Sequence, residues 1–242
     1  MNNLKGKTIL VTGASSGIGK EVALVISKFG GNLIITGRNS EKLSQTFEQL
    51  NGENHSLEVL DLLNRKELEN FCDSLPYLDG VVHCAGITSH KPAKFIKERH
   101  IQEVMEINFN IPVELTSLLL RKNKISKNAS LVFLSSIATS FPYFGGSLYM
   151  ASKSALISYA KALALELASE GIRSNCISPG FVKTPMYDQT MEVASEQTLR
   201  NMEIIHPLGF GMPQDVAGPI CFLLSDQARW ITGTNIPLGV IV

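Results

Sequence analysis

Residues 12–19 of this 242-residue chain read T-G-A-S-S-G-I-G, and this stretch decides the fold. It follows a short apolar run, Thr8–Thr12, and opens a helical pattern over 17–29. Gly13 permits a tight turn, Gly17 lets backbone approach a pyrophosphate, and Gly19 lets the helix pack closely on the strand. The N-terminus of the helix would offer free N–H groups and a positive dipole end to an anion. We therefore expect a dinucleotide-type turn.

The glycine-rich turn also invites comparison with two other motifs. Residues 13–17 also satisfy G-x-S-x-G, the nucleophile elbow of serine hydrolases, with Ser15 as nucleophile. That elbow normally lies deep in a chain, ahead of its acid and histidine, whereas this one follows the first strand. The P-loop pattern fails because Glu21 follows Gly19-Lys20. A glycine-rich turn without a ligand is the remaining alternative.

Working outward from the turn, short β-rich runs alternate with longer helical patterns. The predicted strands are Thr8–Thr12, Asn32–Thr36, Ser56–Leu60, Gly80–His83, Ser130–Leu134, Arg173–Ile177 and Thr234–Pro237. The predicted helices are 17–29, 40–50, 64–74, 100–121, 149–169 and 213–225. This alternation predicts an α/β fold: a single-domain, doubly wound parallel sheet of Rossmann type with helices on both faces. We expect one domain over 1–242, with a substrate lid insert at about 185–212.

The composition excludes several classes of protein. Lys plus Arg and Asp plus Glu are 22 each, so there is no basic excess for nucleic acid or for an anionic membrane. No window holds 18 consecutive apolar residues, which argues against a membrane-spanning helix. The four cysteines lack C-x-x-C spacing and indicate reduced thiols in a cytoplasmic protein. No metal site is expected, because His83 and Cys84 would point to opposite faces of a strand.

The end of the second predicted strand favours one nicotinamide cofactor. Gly37 stands where an acid would accept hydrogen bonds from a ribose 2′-hydroxyl, and Arg38 follows it. A missing carboxylate beside an arginine favours a 2′-phosphate, so we expect NADP(H) rather than NAD(H). The alternative is that Arg38 is an ordinary solvated residue. Asp61 and Leu62, after the third strand, could hold the adenine edge, although Asp61 could equally start a helix.

Tyr149 and Lys153 stand four residues apart, so on a helix they share a face. A lysine ammonium about 5 Å away would lower the pKa of a phenol by roughly 2 units at an effective dielectric near 20. That would bring Tyr149 towards useful acid–base range. Ser136, near the end of the fifth predicted strand, could reach the same substrate carbonyl.

With these motifs in place, the chain resembles the short-chain dehydrogenase/reductase family over nearly its whole length, and within it the 3-oxoacyl-acyl-carrier-protein reductase branch. Residues 12–19 match the family's T-G-x-x-x-G-x-G, and Tyr149 with Lys153 match its Y-x-x-x-K. The resemblance implies that the catalytic residues are Tyr149, Lys153, Ser136 and Asn108. It implies that the cofactor is bound by Gly13, Ser15, Ser16, Gly17, Ile18, Gly19, Arg38, Asp61, Leu62, Ala85, Gly86, Tyr149, Lys153, Pro179, Gly180, Val182 and Thr184.

The resemblance further implies a role for each catalytic residue. Tyr149 would exchange the proton of a carbonyl or alcohol, and Lys153 would hold the nicotinamide ribose and tune Tyr149. Ser136 would fix the carbonyl oxygen, while Asn108 would support a water relay, kink its helix, or do both. The chain departs from the family in two places. It has His83-Cys84-Ala85-Gly86 for the usual N-N-A-G, and it lacks the late D-G-G, since Gly239 is followed by valine.

We expect an NADP(H)-dependent oxidoreductase whose substrate pocket is lined by 137–148 and 182–205. These segments contain Phe141, Tyr143, Phe144, Met186, Tyr187 and Met191. An apolar or amphipathic carbonyl suits such a lining. A 3-oxoacyl thioester, free or carrier-bound, a steroid-like ketone, a sugar and a small diketone all remain open. A non-catalytic NADP(H)-binding regulatory protein is the rival of another class. The resemblance also implies a homotetramer or homodimer. The long apolar-rich stretches 100–121 and 149–169 could pair between subunits.

Overall fold

The computed structural model describes residues 3–192, 200 and 203–241. Seven parallel strands form one sheet in the order β3-β2-β1-β4-β5-β6-β7. Their bounds are β1 Thr8–Thr12, β2 Asn32–Gly37, β3 His55–Val59, β4 Leu78–His83, β5 Ile125–Leu134, β6 Arg173–Pro179 and β7 Asn235–Leu238. The strand order reverses between β1 and β4, where Thr12 aligns with both Thr36 and His83. A parallel sheet opens a ligand crevice at such a switch point.

Helices cover both faces of the sheet. Their bounds are α1 Gly17–Lys28, α2 Ser40–Phe47, α3 Arg65–Ser74, α4 Glu98–Met105, α5 Ile111–Arg121, α6 Ser147–Glu166, α7 Pro185–Met191 and α8 Pro213–Leu224. Helices α1 and α8 bury one apolar core against the sheet, and α3, α5 and α6 bury a second core on the other face. The doubly wound parallel α/β sheet predicted from the sequence is confirmed.

Two predicted helix starts are confirmed by their caps. The Asn64 side chain accepts from the backbone N–H of Glu67 and donates to its carboxylate at 2.7 Å, closing a reciprocal cap on α3. Pro213 occupies the first turn of α8, where its missing N–H is not needed.

The stretch 100–121 is helical as predicted, but it is not one uniform α-helix. The segment Glu106–Asn110 forms a π-helical turn between α4 and α5. The reason lies in Pro112, which has no N–H to give to the carbonyl of Asn108 four residues earlier. A wider turn at Asn108 follows, and such turns are frequent at functional sites.

In the part of the chain that the structure describes, no helix is both long enough and apolar enough to cross a membrane.

Candidate active site

The glycine-rich turn is held against the loop after β4. Gly13 has φ +69°, and a Cβ there would lie 2.8 Å from the backbone N and Cα of Ala85. A Cβ on Gly19 would overlap the carbonyl oxygen of Gly13. Both glycines are therefore required by backbone packing, as their places in the motif predict. The Thr12 hydroxyl accepts from the N–H of Ala85 at 3.3 Å and ties the turn to the same loop.

The N-terminus of α1 is suited to an anion. Ser16 is the cap residue and makes no side-chain cap hydrogen bond, and the first turn contains no acidic residue. Its N–H groups and the dipole end are thus available to a negatively charged ligand. Gly17 has φ +56°, and a Cβ there would meet the Thr184 side chain at 3.4 Å. Ile18 packs partly buried against the core beneath the turn.

The segment after β6 forms the opposite wall. Pro179 ends β6, and Gly180 donates to the carbonyl of Leu238 at 2.9 Å. Val182 is buried and forms an isolated bridge with Gly211. Thr184 caps α7, since its hydroxyl accepts from the N–H of Tyr187. The sequence thus places Val182 and Thr184 on the rim that faces α1.

The end of β2 presents an unpaired arginine. Arg38 is exposed, and its side chain has no hydrogen-bond or ion-pair partner among the described residues. Gly37 precedes it, and a Cβ on Gly37 would overlap the Ser15 hydroxyl. An acid could enter position 37 only if Ser15 moved. In the described part of the chain, no hydrogen bond joins the Ser15 side chain to a histidine.

The end of β3 is occupied by a turn that leads into α3. The Asp61 carboxylate accepts from the N–H of Leu63 at 3.1 Å, and the Asp61 carbonyl accepts from Asn64. Leu62 is half-buried and packs against the second core. Asp61 therefore shapes the start of α3, one of the two roles predicted for it, and stays exposed beside the crevice.

Tyr149 and Lys153 share a face of α6, as their spacing predicts. Tyr149 lies in the first turn of the helix and Lys153 one turn later. The Nζ atom of Lys153 is 5.9 Å from the centre of the Tyr149 ring. Lys153 is buried and donates to the carbonyl of Leu134 at 2.8 Å. The ammonium is thus anchored beneath the phenol by the end of β5.

The electrostatics of this pair differ from the prediction. Burial raises the pKa of Tyr149 above its ordinary value, while a hydrogen bond with Ser136 acts in the opposite direction. The predicted lowering by Lys153 is wrong for this arrangement because burial dominates. Burial also lowers the pKa of Lys153 to about 8, despite the opposing effect of the Cys84 and Cys176 thiols. Tyr149 is therefore a neutral phenol, a proton donor, at neutral pH.

Ser136 lies two residues beyond the end of β5 and caps a short 3-10 turn, Ile137–Thr139. Its hydroxyl accepts from the N–H of Ala138 at 3.2 Å and meets the Tyr149 phenol. The neighbouring Ser135 donates to the Lys153 carbonyl at 3.0 Å, which fastens α6 to the sheet. Ser136, Tyr149 and Lys153 are therefore brought together.

Asn108 lies in the π-turn, and its side chain is fully buried and fully used. Its Oδ1 accepts from the N–H of Ile87 at 2.8 Å, and its Nδ2 donates to the Ile87 carbonyl at 2.9 Å and to the Ser152 hydroxyl at 3.0 Å. Because Pro112 has no N–H, the backbone carbonyl of Asn108 lacks the donor that a regular α-helix would provide. A Cβ on Gly86 would meet both Asn108 and the Lys153 ammonium, at 3.2 and 3.3 Å. Asn108 therefore lies at the base of the group formed by Ser136, Tyr149 and Lys153.

The positions where the chain departs from the family's N-N-A-G are packed tightly. His83 is buried, stacks on Phe133 with ring centres 4.6 Å apart, and meets the Thr116 hydroxyl at 3.1 Å. Burial lowers the pKa of His83 to about 3 and raises that of Cys84 to about 12. His83 is therefore neutral and Cys84 a thiol. Over the described ranges, no group of three or more His, Cys, Asp or Glu side chains could hold a metal ion.

The residues predicted to line a substrate pocket are partly dispersed. Phe141 lines a cavity of about 250 Å³ together with Ile137 and Ser178. Tyr187 packs into an aromatic group with Phe181 and Phe210. Phe144 is almost fully exposed. Of the predicted lid insert 185–212, residues 193–199, 201 and 202 lie outside the described residues.

Sequence reasoning missed several residues that hold the site in place. Ser135 and Ser152 fasten α6 and Asn108, and the His206 ring accepts from the N–H of Phe181 at 2.9 Å. Only one of the features missed at this site had a usable signal: Pro112, four residues after Asn108, marks the break in the helix.

Comparison with known proteins agrees with this geometry. The profile of the family described as short chain dehydrogenase matches residues 7–194. The chain belongs to this family. The 3-oxoacyl-[acyl-carrier-protein] reductase of Rickettsia felis is 38% identical over 237 residues, which cover 98% of this chain and 96% of that protein. The enzyme of the same name from Thermotoga maritima is 32% identical over 248 residues, covering 99% of both.

Solved structures of short-chain dehydrogenases have the same fold. A putative short-chain alcohol dehydrogenase from Sinorhizobium meliloti has a TM-score of 0.89 at 29% identity and covers 98% of this chain and 96% of its own. A putative NAD(P)-dependent gluconate 5-dehydrogenase from Beutenbergia cavernae, with bound NADP, has a TM-score of 0.87 at 25% identity, with the same coverage. The chain is therefore a short-chain dehydrogenase/reductase, an oxidoreductase of a family that uses a nicotinamide cofactor.

Proposed function

We propose that this enzyme reduces a 3-oxoacyl thioester, carried on an acyl carrier protein, with NADPH. The proposal of carbonyl reduction rests on one observation: the Tyr149 phenol is half-buried beside Ser136 and above the anchored Lys153 ammonium. The substrate class is supported by the identity of 30% or more to reductases named for that substrate, over nearly the whole chain.

The glycine-rich turn fits a dinucleotide. A Cβ would be crowded at Gly13 and Gly19, and Gly17 has a positive φ of +56°. The N-terminus of α1 has neither an acid nor a side-chain cap. We infer that this turn, with Ser15, Ser16 and Ile18, holds the pyrophosphate. Asp61, Leu62 and the segment Ala85–Gly86 would border the adenosine, and the segment from Pro179 to Thr184 would border the nicotinamide. When bound, the cofactor supplies a hydride.

The choice of NADPH rests on Arg38 and Gly37. Arg38 is an exposed cation without a partner in the described chain, and it stands where β2 ends. Gly37 offers no carboxylate, and Ser15 occupies the space that one would need. A guanidinium can bind a phosphate through two parallel hydrogen bonds, so a 2′-phosphate would be favoured there.

Proton transfer is assigned to Tyr149. Its raised pKa keeps the phenol protonated at neutral pH, which suits donation to a carbonyl oxygen that gains negative charge. Ser136 would hold the same oxygen by its hydroxyl. Lys153 would stabilise the phenolate after transfer, and the Asn108 carbonyl, left without its α-helical donor, would accept from water or from the Lys153 ammonium.

The test is NADPH oxidation with a 3-oxoacyl thioester on the carrier and on a pantetheine fragment. We expect reduction of both, with a higher kcat/KM for the carrier-bound form. Steroid-like, sugar and small-ketone substrates are assayed in parallel. Faster turnover of one of these would refute the substrate class, and binding of NADPH without any turnover would favour a regulatory protein.

Organisation and assembly follow from the same proposal. We propose that the chain acts as one domain, in which α7 of the predicted insert borders the crevice. We also propose a homo-oligomer that pairs through α4, α5 and α6, because Leu165 on α6 and Ile101 on α4 are exposed apolar side chains. Sedimentation as a monomer at micromolar concentration would refute this pairing.

Each cysteine carries a free thiol, which fits the expected cytoplasmic location.

A further inference from the structure

Three segments meet around the ring of His90. The loop after β4 contributes Thr88 and His90, the loop before α6 contributes Tyr143, and α7 contributes Thr190. The Nε2 atom of His90 lies 3.3 Å from the Thr88 hydroxyl and 3.4 Å from the Thr190 hydroxyl. The Tyr143 and His90 rings are in contact, with centres 5.6 Å apart. His90 thus joins α7 to the loops after β4 and β5.

The wall itself is fixed by backbone contacts. The Tyr143 hydroxyl donates to the carbonyl of Ser89 at 3.2 Å. Gly145 has φ +83°, and a Cβ there would lie 2.9 Å from the carbonyl carbon and oxygen of His90. The loops after β4 and β5 are therefore packed together, with His90 held between them.

The direction of the hydrogen bond to α7 is set by the tautomer of His90. Thr190 is buried, and its hydroxyl donates to the carbonyl of Met186 at 3.0 Å. With its proton used there, the Thr190 hydroxyl accepts from His90 in the tautomer that carries a hydrogen on Nε2. In that tautomer the Nε2 hydrogen is shared between Thr190 and Thr88. A neutral imidazole supplies this hydrogen, and burial lowers the pKa of His90.

We propose that His90 is a positioning residue that fastens α7 to the crevice wall and so sets how tightly the carbonyl substrate is held. This inference rests on the proposed function. His90 touches neither Tyr149 nor Lys153 by any hydrogen bond in the described chain. It is therefore expected to affect substrate binding and not proton transfer.

The experiment is a double-mutant cycle with isosteric variants. His90→Phe keeps the ring against Tyr143 but removes the N–H, and Thr190→Val keeps the shape but removes the hydroxyl. Each single variant should raise KM for the 3-oxoacyl thioester about three- to tenfold, with kcat and the Kd of NADPH little changed, because one hydrogen bond is lost. The effect of the double variant should be smaller than the sum of the two single effects, since both variants remove the same His90–Thr190 contact. His90→Gln, which keeps an N–H donor, should recover most of the wild-type KM.

A matched control is Thr46→Val in α2. The Thr46 hydroxyl is likewise buried and donates to the carbonyl four residues back, at 3.0 Å, but it lies outside the crevice. The KM of Thr46→Val for the 3-oxoacyl thioester should equal that of the wild type. Unchanged KM in His90→Phe, or additive effects in the double variant, would overturn the proposal.

Hydrogen exchange separates this inference from the proposed substrate. Amides of α7 should exchange about three- to tenfold faster in His90→Phe than in the wild type, and this measurement needs no turnover. If no 3-oxoacyl thioester is reduced, the proposed function fails while the exchange result still decides the role of His90. Equal exchange in both proteins would refute that role.

Discussion

The ammonium of Lys153 lies 5.9 Å from the centre of the Tyr149 ring, one helical turn along α6. Its hydrogen bond to the Leu134 carbonyl fixes it from below, at the end of β5. A phenol and a cation on adjacent turns would otherwise be free to separate into solvent. Here the sheet holds the cation in place, so the pair can act as a unit.

Replacing Tyr149 with phenylalanine should lower kcat for carbonyl reduction by about 10²- to 10⁴-fold, because the proton donor is removed. The Kd of NADPH, measured by fluorescence, should change little. Ser15→Ala is the informative comparison, since it would abolish activity in a serine hydrolase and should leave substantial reductase activity here. Full activity of Tyr149→Phe would contradict the assignment of the proton donor.

The pH dependence of kcat/KM should reflect the ionisation of Lys153. Its pKa is lowered by burial to about 8, so its positive charge is present below that pH and is lost as the pH rises through it. We expect kcat/KM for reduction to fall on the alkaline side with an apparent pKa near 8, a value that belongs to the coupled Tyr149–Lys153 pair. In Lys153→Arg, which stays protonated, the remaining activity should lack this fall. A wild-type profile that stays flat up to pH 10 would rule out this role.

Arg38→Gln should raise KM for NADPH about 10- to 100-fold, as expected for lost hydrogen bonds between a cation and a phosphate. KM for NADH should change little, because NADH has no 2′-phosphate. Lys42→Gln, a charge removal in the adjoining helix α2, controls for the general electrostatic field. A wild-type preference for NADH would remove the basis of the NADPH proposal.

Asn108→Ala should destabilise the fold by about 2–4 kcal/mol, since the Ile87 N–H and carbonyl lose their buried partners. Ser152→Ala removes only one of the Asn108 contacts and should cost about 1 kcal/mol. Urea unfolding of both variants measures the difference. Equal stability of the two variants would show that the π-turn is held by other contacts.

His83 should make the fold sensitive to acid. Its pKa is lowered by burial to about 3, whereas in the unfolded chain it is close to 6.5. The unfolded state therefore binds a proton first as the pH falls, and stability is lost below about pH 6.5 at up to about 1.4 kcal/mol per pH unit. His83→Asn, which restores the family's usual residue, should show a shallower loss between pH 6 and 4. Parallel curves for the two proteins would exclude this effect.

Much of the fold was predictable because it depends on local rules. The glycines of the turn, the capping of α3 by Asn64 and the strand–helix alternation each follow from short-range geometry. The grouping of Tyr149, Lys153 and Ser136 also followed, since strand ends converge on one edge of a parallel sheet.

What could not be predicted depends on contacts distant in sequence. The pKa of Tyr149 was predicted to fall because only the charge of Lys153 was considered, and burial is a property of the folded molecule. The pairing of His90 with Thr190, 100 residues apart, leaves no pattern in the sequence. Pro112 does signal the π-turn at Asn108. The prediction missed it because the apolar periodicity of 100–121 is typical of one continuous α-helix.

The π-turn makes the chain length between α4 and α5 critical. One residue of an α-helix corresponds to about 100° of rotation, so a segment wound one residue wider offsets everything that follows by that angle. Deleting a single residue from Glu106–Asn110 would rotate α5 relative to α4 by that angle and turn the asparagine away from Ile87. Transplanting a site of this kind into another scaffold would therefore need the extra residue as much as the side chains.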